Sequence, residues 1–162
     1  MSLVIALGSN LGDKKENLIK AINLLSEIFD HPIAISSIYS SAPVGGISQP
    51  DFLNMAVEFN IPELSPLETL SKCLAIEEQM GRKRIQKWGP RNIDIDILYF
   101  SSTKVDLPDL TIPHPFISER SFVVRPLMEL PYYTQQKASF DFPNEFEIDA
   151  YVYDKITLEG KN

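Results

Sequence analysis

Apolar residues recur along this chain in two rhythms, and the switches between them outline its elements. Leu3 to Leu7 is a short apolar run ending at Gly8, the pattern of a buried strand. "GSNLG" turns from it into a helix, with Asp13 as N-cap and Glu16 three residues on as a capping box. Leu18, Ile22, Leu25 and Phe29 keep helical spacing and make one apolar stripe, which Pro32 closes. Ile33 to Tyr39 predicts a second strand, and "SSAPVGGISQPD" after it is rich in turn residues. In "FLNMAVEFNI" the period becomes two: Leu53, Met55, Val57, Phe59 and Ile61 share one face, Phe52, Asn54, Ala56 and Glu58 the other, as in a half-buried strand. "SPLE" is a second capping box, with Ser65 as N-cap and Pro66 at the first helical position. The helix it opens carries Leu67, Leu70, Leu74 and Ile76 and stops at Gly81, a C′ residue. A loop of about a dozen residues, long enough to suggest function, then leads into the strand "NIDIDILYF".

Strand, helix, strand, strand, helix, strand is the order of a ferredoxin-like α+β sandwich: two helices on one face of an antiparallel sheet, with the other face open for a ligand. From Val105 onward, prolines at 108, 113, 115, 126 and 131 break any periodicity, and the tail after about 131 reads as either a small hairpin or irregular structure. A chain of 162 residues predicts one domain with a core of its own.

Composition narrows the chemistry. No window approaches the ~20 continuous apolar residues of a membrane span, and "MSLVIALGSNLG" lacks the basic start and long apolar stretch of a signal peptide, so a cytoplasmic protein is expected. Cys73 stands alone beside only two histidines, which leaves neither a disulfide framework nor an obvious zinc site; any metal should be a hard one held by oxygen. A formal net charge of −7 argues against a surface coated for nucleic acid.

Against that acidic background, "RKRIQKWGPRNIDIDILYF" is anomalous. Arg82, Lys83, Arg84, Lys87 and Arg91 gather without one acidic residue between them, and two aspartates follow, threaded among isoleucines. Asp94 and Asp96 are two apart on a predicted strand, so they share a face with Cα atoms ~7 Å apart, while Ile93, Ile95 and Ile97 face the other way. Two like charges side by side on a strand repel, and a divalent cation removes that objection: magnesium takes one or two carboxylates, keeps waters and completes its shell with phosphates. A solvated strand face that happens to alternate is the plainer reading of the same pair. The cations read alone as solvated surface; placed just before the aspartates, they can converge with a metal on one polyphosphate, where guanidinium forks fit phosphate oxygens. Trp88, the only tryptophan, lies among polar residues beside Gly89 and Pro90, which suggests a lid over a planar ligand rather than a core position. Neither GxxxxGK[ST] nor GxGxxG occurs, so side chains and metal must carry phosphate binding.

"GSNLGD", "PVGG", "QPDFLNMAV", "KWGPRNIDIDIL" and "IPHPFISERSFVVRPLMEL", in this order and spacing from residue 3 to about 131, resemble the 6-hydroxymethyl-7,8-dihydropterin pyrophosphokinase family of folate biosynthesis. The resemblance implies a ferredoxin-like fold and transfer of the terminal pyrophosphate of ATP to the hydroxymethyl oxygen of a dihydropterin, releasing AMP. It implies that Asp94 and Asp96 bind two magnesium ions, that Arg82 and Arg91 are catalytic, and that Arg84 and Lys87 meet the phosphates. Thr111, His114 and Arg120 would contact the nucleotide, with Leu70, Ile97 and Leu110 near adenine. Phe52 and Phe122 would sandwich the pterin, Trp88 would cover it, and Asn54, Ser41 and the backbone of Val44 would read its edge. The partners implied are small molecules, with no nucleic acid or membrane, and a monomer is expected. His114, a lone histidine between prolines, and Phe122, a phenylalanine fit for a core, also have ordinary structural readings. Lys87, Leu74, Asp109 and Pro115 depart from residues common in bacterial members.

Two other classes share the element order. An RNA-recognition module would also present a sheet face and a basic aromatic loop, but the face strands lack the aromatic pattern of such modules and the net charge opposes it. A regulatory domain of the same fold would bind ligands without producing AMP.

Overall fold

The computed structural model describes residues 1–43, 48–81 and 90–157. The chain opens with β1 (Ser2–Ser9), α1 (Lys14–Phe29), β2 (Ala34–Ile35), β3 (Ile38–Ser41), β4 (Phe52–Asn60), α2 (Pro66–Gln79) and β5 (Asp94–Phe100). A short hairpin, β6 (Val105–Leu107) and β7 (Leu110–Ile112), precedes α3 (Ser121–Leu127), α4 (Pro131–Gln135) and β8 (Tyr151–Asp154). The main sheet runs β5-β1-β4-β3-β8, with β2 also on β4, and every pairing is antiparallel. This is the α+β sandwich that the element order predicts.

The helices form where capping and periodicity coincide. Asp13 accepts from the Glu16 N–H at the start of α1, although the reciprocal half of that capping box is not made. At α2 both halves are present: Ser65 Oγ accepts from the Glu68 N–H, and Glu68 Oε1 accepts from the Ser65 N–H. Gly81, with φ +85°, follows as the C′ residue. Helix α1 ends earlier than Pro32, because Asp30 adopts φ +66° and turns the chain.

One core lies between the sheet and α1 and α2. Leu3, Ile5 and Leu7 of β1, Met55, Val57 and Phe59 of β4, and Ile95 and Ile97 of β5 pack there against Leu18, Ile22, Leu25 and Phe29. In α2 the buried positions are Thr69, Cys73, Ile76 and Glu77, so the stripe is rotated from the one expected: Leu67 and Leu74 are 48% and 41% exposed. The predicted second strand is broken into β2 and β3. Ser36 Oγ accepts from the Ala56 N–H and donates to the Ser37 carbonyl at the break.

The opposite sheet face is closed at one end. Val4, Ala56, Leu98 and Tyr99 pack against Val123, Val124, Leu127, Leu130 and Tyr132 from α3, α4 and their junction. Strand β4 is therefore buried on both faces over most of its length rather than half-buried. Glu58, facing that side, is buried with its oxygens accepting from Ser2 Oγ (2.7 Å) and the Tyr132 N–H (2.9 Å) at the start of α4. A register shift opposite Val4 and Ile5 lets Leu98 and Tyr99 both join this second cluster and returns Phe100 to the helix-side core. The tail, ambiguous in sequence, supplies β8 on the edge of β3. Lys15 Nζ pairs with Asp154 Oδ2 at 2.7 Å and ties this strand to α1.

Candidate functional site

The other end of that face stays open, and its floor is made of small residues. Ala6 and Gly8 of β1 lie between Asp96 and Asp94 of β5 on one side and Ala56 and Asn54 of β4 on the other. Gly8 lies inside the strand rather than at its end. A Cβ added there would stand 3.3 Å from Asn54 Oδ1 and 3.6 Å from Phe52 Cδ1, so the missing side chain is what opens a dent between the acids and the amide.

Two clefts meet at the aspartates. The first is lined by Ala6, Gly8, Ser41, Phe52, Asn54 and Phe122, among others. The second runs over the exposed side of α2 and is lined by Leu67, Leu70, Ser71 and Leu74, with Asp109 and Phe116 across from them. Arg91, Asp94, Asp96, His114 and Arg120 line both.

Hydrogen bonds fix the walls. Asn54 Nδ2 donates to Ser41 Oγ at 2.8 Å, both residues being buried. Arg91 Nη1 donates to Asp94 Oδ2 at 3.3 Å, and its guanidinium lies over the Phe52 ring, 5.3 Å from the centroid. Arg120 lies between Phe116 and Phe122, 5.1 and 5.7 Å from their ring centres. The His114 N–H donates to the Leu98 carbonyl at 3.2 Å, holding the segment after β7 along the free edge of β5. His114 Nδ1 accepts from the Phe116 N–H at 3.4 Å, which leaves the ring proton of the neutral imidazole on Nε2. Burial, then the positive charge of Arg120, pushes the His114 pKa below its ordinary value, opposed by Asp94. Burial also lowers Arg120, against the raising effect of Asp96 and Asp94.

Of the residues singled out in the sequence, Ser41, Phe52, Asn54, Arg91, Asp94, Asp96, His114, Arg120 and Phe122 line the first cleft, and Leu70 lines the second. Ile97 and Leu110 lie in the helix-side core, and Thr111 is exposed on β7; none of the three is among the residues lining either cleft. Val44, Arg82, Arg84, Lys87 and Trp88 lie outside the described residues.

Sequence reasoning passed over three residues. Glu77, buried on α2, accepts from the Ile95 N–H at 2.8 Å and so anchors the helix to the backbone between the two aspartates. Gly8 and Asn10 were hidden in a stretch that reads as a simple turn. Their signal was a glycine and an amide placed beside a strand rather than within a loop.

The acids suit magnesium. They offer oxygen only, stand on one face beside residues without bulk, and leave a wide cleft for further ligands. Among the described residues no group of three histidine, cysteine or acidic side chains forms a fuller metal cage, so water and phosphate oxygens would have to complete the shell.

The model of the family described as 7,8-dihydro-6-hydroxymethylpterin-pyrophosphokinase matches residues 4–132. The chain is 42% identical over 136 residues to the 2-amino-4-hydroxy-6-hydroxymethyldihydropteridine pyrophosphokinase of Bacillus subtilis, spanning 83% of this chain and 81% of that protein. It is 44% identical over 128 residues to the mitochondrial folate synthesis bifunctional protein of Pisum sativum, covering 79% of this chain but 25% of that one. Among solved structures it is similar to a Plasmodium falciparum HPPK-DHPS at TM-score 0.60 and 17% identity, over 80% of this chain and 39% of the other, a likeness of fold. By the extent of the family match and the identity to the Bacillus protein, this chain belongs to the 7,8-dihydro-6-hydroxymethylpterin-pyrophosphokinase family.

Proposed function

We infer that the two clefts form one active centre, in which this enzyme transfers the terminal pyrophosphate of ATP to the hydroxymethyl group of 6-hydroxymethyl-7,8-dihydropterin. The products are the pterin diphosphate and AMP. One observation carries the reading of the site: the five charged or titratable residues Arg91, Asp94, Asp96, His114 and Arg120 line both clefts, so chemistry between two ligands would occur where they stand.

The first cleft suits a flat heterocycle with donors and acceptors on its edge. Phe52 and Phe122 supply ring faces, and Asn54, held by Ser41, supplies an amide that both donates and accepts. The second cleft suits the nucleotide. Leu67, Leu70 and Leu74 offer apolar surface to a base, and Arg91 and Arg120 offer forked donors to phosphate oxygens. His114, neutral near pH 7, presents Nε2–H as a further donor without adding charge.

In the reaction the hydroxyl oxygen of the pterin attacks the β-phosphorus, the bond from that phosphorus to the α,β-bridging oxygen breaks, and AMP leaves with that oxygen while the hydroxyl proton is released. Asp94 and Asp96 would hold two magnesium ions, which when bound neutralise the phosphates and polarise the phosphorus under attack. Arg91, beside Asp94, draws the phosphates to the same junction, and the ring faces hold the hydroxymethyl group in line. No side chain is assigned as general base; positioning and charge neutralisation carry most of such transfers.

Detection of AMP and pterin diphosphate by mass, from ATP, magnesium and the hydroxymethylpterin, tests this reading. Binding of both ligands without AMP would instead make the chain a regulatory module.

A further inference from the structure

We propose that Asn10 is a positioning residue that mechanically couples the two clefts, a role that rests on reading them as pterin and nucleotide sites. Asn10 is 1% exposed, immediately after β1. Its Nδ2 donates to Gln49 Oε1 at 2.9 Å and to the Pro50 carbonyl at 3.0 Å. Its Oδ1 accepts from the Arg91 N–H at 2.8 Å, and its own N–H donates to the Arg91 carbonyl at 3.0 Å. Both amide hydrogens are thus in use, and both polar groups of the Arg91 backbone are held by one residue.

The partners give these bonds their meaning. Gln49 and Pro50 lead into β4, which carries Phe52 and Asn54 in the first cleft, and Arg91 leads into β5, which carries Asp94 and Asp96. Neither segment can shift relative to the other without breaking a part-buried hydrogen bond and leaving a polar group of the buried Asn10 without its partner. The Arg91 side chain completes the link, lying over the Phe52 ring while donating to Asp94. A ligand that orders Arg91 against phosphate would therefore also order the entry to β4, and a heterocycle on Phe52 would order Arg91. Binding of either substrate lowers the cost of binding the other.

Asparagine suits this position because the geometry asks for one acceptor and two donors on a short stem. In Asn10→Asp the oxygen that accepts from Arg91 is kept, but both donors are lost. The Pro50 carbonyl then faces a carboxylate with no proton to accept. Asn10→Ala removes all three side-chain bonds.

Calorimetric titration of the full chain with hydroxymethylpterin, with and without magnesium and a non-hydrolysable α,β-methylene analogue of ATP, tests the coupling. In the wild type the analogue should tighten pterin binding by at least about fivefold. In Asn10→Asp that factor should fall below about twofold while the Kd of the analogue alone changes less than about twofold. Asn10→Ala should behave the same way if it folds, and Asn10→Asp decides the matter if it does not. A merely structural role would lower the melting temperature and weaken both ligands without changing their ratio. A wild-type coupling factor of one, or a folded Asn10→Asp protein with the wild-type factor, would overturn the proposal; a wild type that binds neither ligand would instead remove the reading of the clefts.

Discussion

The two faces of the central sheet are built from the same strands under opposite rules. On the helix side, β1, β4 and β5 present Leu3, Ile5, Leu7, Met55, Val57, Phe59, Ile95 and Ile97, large side chains that leave no room. On the other side the same strands present Ala6, Gly8, Asn54, Asp94 and Asp96 at one end, where space and charge are kept. At this end the three strands alternate, so each of these residues stands next to one of the core. At this end of the sheet packing is concentrated on one face and the proposed chemistry on the other, so substitutions in the two should separate cleanly.

The largest separation is expected at Asp94. Asp94→Ala should lower kcat/KM by at least about 10³-fold, roughly 4 kcal/mol of transition-state stabilisation, while the melting temperature stays near that of the wild type. AMP release and a thermal scan measure the two. Excess chelator should abolish wild-type turnover and restored magnesium should recover it; undiminished activity in either case would detach the acids from the reaction.

Phe59→Ala tests the opposite face. Phe59 is fully buried against Phe29, ring centres 5.6 Å apart, and its truncation should cost about 3–5 kcal/mol in urea unfolding. KM values of the protein that remains folded should not move. A change in KM larger than the change in folded fraction would show that the faces are not independent.

Gly8→Ala should make the two faces respond with opposite signs. The added methyl meets Asn54 Oδ1 at 3.3 Å and fills the dent, so pterin KM should rise about tenfold, or ~1.4 kcal/mol. The folded chain, freed of a mid-strand glycine at an ordinary φ, should gain up to about 0.5–1 kcal/mol.

The smallest effect concerns His114. Its folded pKa is lowered, first by burial and then by Arg120, so below about 6.5 the unfolded chain binds more protons than the folded one. This group's contribution to stability is present above that range and is lost as pH falls through it. Urea midpoints at pH 7.5 and 5.5 should drop less in His114→Gln than in the wild type, and equal drops would contradict the assignment.

Much of this arrangement was legible in the sequence because the relevant signals are local. The period-two pattern of residues 52–61 and the Asp94 and Asp96 spacing fix which side chains share a face before any fold is known. Ser65, Pro66 and Glu68 announce the start of α2 for the same reason. What stayed hidden depends on contacts between distant segments. The stripe of α2 differs from the expected one because Leu67 and Leu74, apolar by type, line the second cleft, while the buried Thr69 satisfies its hydroxyl on the Ser65 carbonyl one turn back and the buried Glu77 accepts from the distant Ile95 N–H. The caps over the far end of the second face escaped notice because prolines obscure α3 and α4, each held in place by residues well removed in sequence. Asn10 looks like any turn residue until Gln49, Pro50 and Arg91 are brought to it.

The extra residue in β5 opposite Val4 and Ile5 has a consequence for how this strand can vary. Upstream of it, odd positions point to the helices; downstream, Phe100 does so from an even one. Deleting the one extra residue there would restore strict alternation with Asp94 and Asp96 still on the open face and Phe100 still on the helix side. Relatives whose β5 is one residue shorter at this point should therefore keep both acids and Phe100 on their present faces and lack the pair Leu98 and Tyr99 as joint contacts of α3.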